Sequence, residues 1–184
     1  MRTFAFSFSS LEVFKQFPNK VFVETGTFCG DGIQLALDSN GFEKIVSIEL
    51  SKEYYFLAKN KFINQKSVEL VLGDSSKVLA NVIKNIHVPI TFWLDGHYSG
   101  GNTAKAEKNS PILEELDQIK NHPIKNHTIL IDDVRLFGTK DFDYVTKEEI
   151  EQRIREINPL YHISYMDCAA AKGDVLVAYI EKGL

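Results

Sequence analysis

Short apolar runs and helix-like segments alternate along this chain. Val21-Phe-Val23, Ile45-Val-Ser-Ile48, Val68-Glu-Leu-Val-Leu72, Ile90-Thr-Phe-Trp-Leu94 and Thr128-Ile-Leu-Ile131 are rich in β-branched residues and predict five strands. Between them, apolar positions recur at helical spacing: near Asp31 (Ile33, Leu35, Ala36, Leu37), then Ser51 to Asn64, Ser75 to Asn85, Pro111 to Lys120 and Lys147 to Ile157. Ser51 is suited to cap its helix, with Glu53 in the first turn, and Pro111 to open another. Tyr161–Met166 and Val175–Ile180 predict an antiparallel hairpin around Lys172-Gly173-Asp174. Strands that read as continuous apolar runs and alternate with helices predict a doubly wound α/β domain, its parallel sheet covered on both faces. At the start of the chain Phe4, Phe6 and Phe8 alternate as in a strand, whereas Leu11, Phe14 and Phe17 have helical spacing. Burial against the sheet or against the partner of a homodimer accounts for both.

Composition narrows the class. The 184 residues are 44% hydrophobic and 25% charged, which excludes a disordered or collagenous chain and suits one domain spanning 1–184. A net charge of −4 lacks the basic excess of a nucleic-acid binder. The first ten residues fail as a signal peptide, and no apolar stretch approaches the length of a membrane span. Two cysteines, Cys29 and Cys168, offer neither a disulfide framework nor a CxxC pair. The expectation is a soluble cytoplasmic protein.

In a sheet of this kind ligands bind beyond the carboxyl ends of the strands, so the residues that follow each strand carry the chemistry. After the first comes Glu24-Thr-Gly-Thr-Phe-Cys-Gly-Asp-Gly32, a glycine-bearing turn without the spacing of a dinucleotide fingerprint. The second ends at Glu49, about 25 residues beyond Glu24, where a carboxylate can accept both hydroxyls of a ribose. The third ends in Gly73-Asp74-Ser75, which can edge an adenine or cap a helix. After the fourth and fifth, Asp95, Asp132 and Asp133 converge. Carboxylates so crowded need a cation to offset them, and oxygen ligands suit Mg²⁺, Ca²⁺ or Mn²⁺; the alternative is that they only cap loops. His97, two residues past Asp95, is placed to accept a proton. The loop from Ser99 to Glu107 reads as a lid, with Lys105 and Glu107 as substrate contacts, and Arg135 as a residue for an anionic acceptor or for a surface ion pair.

From Val21 to Val134 this ordered set resembles the class I S-adenosylmethionine (SAM)-dependent methyltransferases, closest to the metal-dependent O-methyltransferases of the catechol and caffeoyl-CoA kind and to those that modify antibiotic sugars. The resemblance implies a Rossmann-like, mostly parallel seven-stranded sheet with an antiparallel C-terminal hairpin. It implies that Glu24 and the Gly26 backbone face the methionine end of the cofactor, with Thr27 and Gly30 in the same turn. Glu49 would hold the ribose, Asp74 and Ser75 the adenine, and Asp95, Asp132 and Asp133 Mg²⁺; Asp95 and His97 would serve the reaction. The sugar-modifying enzymes carry an acid where His97 stands, and the catechol enzymes a lysine where Tyr98 stands. A small-molecule or glycan hydroxyl is the expected acceptor. Methylation of an amine, or a binding module that keeps the fold without catalysis, remain alternatives.

Overall fold

The computed structural model describes residues 8–98, 108–168 and 170–181. Helix α1 (Phe8–Gln16) is followed by β1 (Val21–Thr25), α2 (Asp31–Asp38), β2 (Lys44–Glu49), α3 (Lys52–Lys61), β3 (Val68–Leu72) and α4 (Ser75–Ile83). Then come β4 (Ile90–Leu94), α5 (Ile112–Asn121), β5 (Thr128–Ile131), α6 (Lys147–Ile157), β6 (His162–Met166) and β7 (Val175–Tyr179). Short 3-10 turns at Val134–Leu136 and Lys140–Phe142 lie between β5 and α6. All the expected strands form. Phe8, however, belongs to α1 and not to a strand: the helical spacing prevails because it buries Val13 and Phe14 completely. The Phe14 ring meets Phe22 and Trp93 edge-on, with centroids 4.9 and 5.2 Å apart. Phe4 and Phe6 lie outside the described residues.

The strands form one sheet in the order β3-β2-β1-β4-β5-β7-β6. β7 runs antiparallel to both of its neighbours, and every other pair is parallel. Successive side chains on a strand point to opposite faces, and here both faces are covered. Val23, Ile48, Phe92 and Ile131 pack with Leu79, Leu116 and Ile154 of α4, α5 and α6. Phe22, Ile45, Trp93 and Leu130 pack with Phe14, Ile33 and Ala58 of α1, α2 and α3. Double burial is the reason the strands read as unbroken apolar runs. The outer strand β3 is less buried, and its Glu69 pairs with Lys44 at 2.8 Å, a charged margin that discourages further strand pairing.

β1 is the switch point. The chain runs outward from β1 to β2 and β3, then returns to β4 on the other side of β1, which opens a crevice at the carboxyl ends of β1 and β4. No helix among the described residues is long and apolar enough to cross a membrane.

Candidate active site at the carboxyl edge

The turn after β1 depends on backbone that few side chains tolerate. Gly26 has φ 83°, and a Cβ there would stand 2.3 Å from the Asp95 carbonyl oxygen, so glycine lets the ends of β1 and β4 press together. Gly30 has φ 75°, and its Cβ would stand 2.5 Å from the Phe62 ring. Between them Phe28 adopts φ 46°, a strained conformation for a bulky residue. Its N–H donates to Glu49 Oε2 at 2.8 Å, and its ring rests on Tyr54 with centroids 4.5 Å apart. Ser51 N–H donates to Glu49 Oε1 at 2.7 Å. Glu49 is thus fixed by one backbone donor on each oxygen. A carboxylate has about four acceptor positions, so both oxygens keep capacity for another donor.

Glu24 turns inward. Ser47 donates to its Oε2, and Ser47 Oγ lies 2.6 Å from Thr27 Oγ1, which makes a buried chain of three polar side chains. Burial pushes the Glu24 pKa up to about 8 against the lowering effect of the Ser47 bond. Gly32 makes room for it, since a Cβ there would lie 1.8 Å from Glu24 Oε1. Asp74 caps α4: its Oδ1 accepts from the Ser76 N–H at 3.0 Å and from the Ser76 hydroxyl at 2.6 Å, and Lys77 stands 3.3 Å from Oδ2. Ser75 beside it is buried.

Beyond β4 and β5 the ladder continues for one more bond on each side. Asp95 N–H donates to Thr25 O at 3.2 Å and Asp132 N–H to Leu94 O at 3.3 Å, which carries these aspartates to one edge. His97 lies between carboxylates, Nδ1 3.4 Å from Asp95 Oδ1 and Nε2 3.0 Å from Asp133 Oδ2. Burial lowers the His97 pKa, but the Asp95 hydrogen bond and the charges of Asp95, Asp133 and Asp132 outweigh it and hold it above the ordinary value. Asp133, in left-handed backbone at φ 60°, also receives the Arg135 guanidinium, which bridges to buried Asp174. The carboxylates reach the edge in two groups: Asp95 and Asp133 gather with His97, and Asp132 with Cys168 and Asp174, ligand atoms within 4.8 Å in each. Burial first, then the charges of Asp95 and Asp133, raise the Asp132 pKa.

Arg135 is therefore engaged with Asp133 and Asp174. Tyr98 N–H donates to Asn109 O at 2.6 Å; the expected lid, with Lys105 and Glu107, lies outside the described residues. Sequence reading missed Ser47, Asp174 and, above all, Glu115 on α5, which is buried with its pKa pushed up to about 7, chiefly by desolvation. A signal existed for Glu115: it falls on the helix face of Ile112, Leu116 and Ile119, the buried one.

No family model matches the chain, and no curated protein matches it by sequence. Solved structures do match. An O-methyltransferase from Bacillus cereus in complex with SAH (S-adenosylhomocysteine) superposes with a TM-score of 0.64 at 13% identity, over 94% of this chain and 79% of that one. The fold is that of the class I methyltransferases. TomG from Streptomyces achromogenes, an O-methyltransferase of tomaymycin synthesis in complex with SAM, gives 0.61 at 15% identity over 94% of this chain and 78% of that one. A spermidine synthase from Thermotoga maritima gives 0.62 at 14% identity over 100% of this chain and 62% of that one. At such identities the methyltransferase fold by itself does not choose the transferred group.

Proposed function

We propose that this protein is a SAM-dependent O-methyltransferase, assisted by a divalent cation, that acts on a hydroxyl of a sugar or glycan-type acceptor. The observation that carries the reading is Glu49, set by two backbone N–H groups opposite the Gly26–Gly30 turn at the switch point of the sheet. In this reading Glu49 accepts the ribose hydroxyls. Gly26, Thr27 and Gly30 bring backbone to the methionine end above Glu24, and Asp74 with Ser75 borders the adenine. The bound sulfonium supplies an electrophilic methyl group. The residues at the ends of β4 and β5 hold the acceptor hydroxyl in line with it, which is where most of the rate arises. His97 accepts the hydroxyl proton on a ring nitrogen that now faces Asp95 or Asp133. It does so only in its neutral form, so transfer rises with pH as the ring gives up its proton.

The donor set fits a cation. Asp95 and Asp133 offer oxygens within 4.8 Å of each other and of His97, and burial with mutual repulsion raises the Asp133 pKa, a strain that a cation relieves. Asp95 and Asp133, with Asp132 beside them, would hold Mg²⁺, whose chemistry there is to lower the pKa of the acceptor hydroxyl. A variant of the reading without metal draws support from His97 and Arg135, which already neutralise this cluster.

The test is calorimetric titration of SAM into wild type and Glu49→Ala, with and without Mg²⁺. Saturable binding that weakens about 100-fold or more in the variant is expected from the loss of two charge-assisted bonds. No binding by the wild type in either condition ends the reading. Mg²⁺ should raise the melting temperature of the wild type but not of Asp133→Asn; an equal response leaves the variant without metal.

A further inference from the structure

Both oxygens of Asp133 are already engaged by basic side chains. Oδ1 receives the Arg135 guanidinium, and Oδ2 stands 3.0 Å from His97 Nε2. A divalent cation that takes Asp133 as a ligand therefore meets a positive charge already seated on Oδ1, and the two repel. The two basic groups differ in how easily they yield. The His97 side chain is 6% exposed, has its other ring nitrogen 3.4 Å from Asp95 Oδ1 and rests on Phe142 with ring centroids 5.7 Å apart. The Arg135 side chain is 43% exposed, and the nitrogen that reaches Asp133 reaches Asp174 Oδ2 as well.

Asp174 is fixed independently of that guanidinium. It is buried, its Oδ1 accepts from the Arg135 backbone N–H at 2.8 Å, and its carbonyl accepts from the Val134 N–H at 2.9 Å. The Cys168 thiol donates to Oδ2 at 3.3 Å. A guanidinium that leaves Asp133 thus keeps a buried carboxylate as its partner, and neither charge is left bare. We infer that Arg135 is the resident counter-ion of the reacting edge: it neutralises Asp133 until a divalent cation takes its place there, and it then stays paired with Asp174. The inference rests on the cation reading of the site. It makes Asp174 the holder of the displaced arginine and not a metal ligand, although its carboxylate lies within 4.8 Å of ligand atoms of Asp132 and Cys168. The crowded acids at the ends of β4 and β5 are then compensated both before and after the cation arrives.

Its test is calorimetric titration of Mg²⁺ into wild type, Arg135→Gln and the double variant Arg135→Gln/Asp133→Asn. The Arg135 Nε–H resonance of the wild type is followed by NMR through the same titration. Arg135→Gln should bind Mg²⁺ about tenfold more tightly than wild type, a moderate gain because the guanidinium is partly in solvent. The double variant should lose that gain, and the wild-type Arg135 resonance should move in step with saturation. Equal affinity in wild type and Arg135→Gln overturns the inference and leaves the cation reading standing. A gain that survives Asp133→Asn also overturns it, since the cation would then sit on Asp132 and Asp174. No Mg²⁺ binding by either wild type or Arg135→Gln overturns the inference and the cation reading together. Should Arg135→Gln not fold, the wild-type resonance decides alone: movement with Mg²⁺ supports the exchange, and a fixed resonance overturns it.

Discussion

The two edges of the sheet treat buried polar groups in opposite ways. At the amino edge Ile90 N–H donates to His127 Nδ1 at 3.1 Å, so His127 carries its proton on Nε2 and donates that N–H to His122 Nδ1, also at 3.1 Å. His122 in turn donates from Nε2 to Ile83 O at 3.2 Å, and one tautomer of each ring, assigned from these partners, closes the whole network. At the carboxyl edge Glu24, Glu115 and Asp133 are buried and Asp132 is half-buried beside them, with an orphan oxygen on Glu115. The pKa directions separate accordingly. Burial and the neighbouring His122 push His127 down to about 3, whereas burial pushes Glu24 up to about 8 and Glu115 up to about 7. The amino edge buries neutral histidines whose ring nitrogens are paired, beside a Tyr161 hydroxyl that has no partner, whereas the carboxyl edge crowds acids against one another.

The largest expected effect breaks the carboxyl edge. Gly26→Ala places a Cβ at φ 83° and 2.3 Å from the Asp95 carbonyl, backbone that cannot rotate away. Denaturant titration should show a loss of about 4 kcal/mol or more. Gly138→Ala is the control: its φ is 75°, but nothing lies within 4 Å, so only backbone strain of about 1–2 kcal/mol should appear. Equal losses would mean that the contact between β1 and β4 is unimportant.

Next in size is the acid limb of stability, which belongs to the amino edge. His127 takes up a proton near 6.5 when unfolded but only near 3 when folded, so its contribution is complete above 6.5 and is lost as pH falls toward 3. The loss is on the order of 4 kcal/mol. Denaturant midpoints measured across this window in wild type and His127→Phe should fall steeply in the first and less so in the second. Parallel profiles would assign the acid limb elsewhere.

How far each edge was legible in the sequence follows the same division. The strands could be read because double burial makes them apolar throughout, and Glu49, Asp95 and Asp133 because they stand where strands end. His97 was legible as a residue but not as the bridge between two aspartates, since its position between Asp95 and Asp133 depends on the pairing of β4 with β5 that sets Leu94 opposite Ile131. Glu115 could be placed on the buried face of α5 by its spacing from Ile112, Leu116 and Ile119, but not beside the end of β4, and the His122–His127 pair lay in a polar connection between α5 and β5. Sequence pattern reports which face a residue occupies; whether its polar atoms find partners is decided by elements remote in the chain.

The smallest effect sharpens the comparison from the other side. Glu24 keeps a proton up to about pH 8 when folded but gives it up near 4.5 when unfolded. The folded state therefore binds more protons across that interval, and stability falls as pH rises from 4.5 to 8, the reverse of the His127 window. Glu24→Gln removes the titrating group while an amide oxygen can still accept from Ser47, so the variant should be nearly as stable as wild type at pH 5 and more stable at pH 8, by on the order of 3 kcal/mol. That gain should come with weaker SAM binding if the carboxyl serves the methionine end. A variant stabilised at pH 8 that binds SAM as tightly as wild type would make Glu24 a buried burden without a ligand role; one that is not stabilised would show that the crowding of acids at the carboxyl edge does not extend to Glu24.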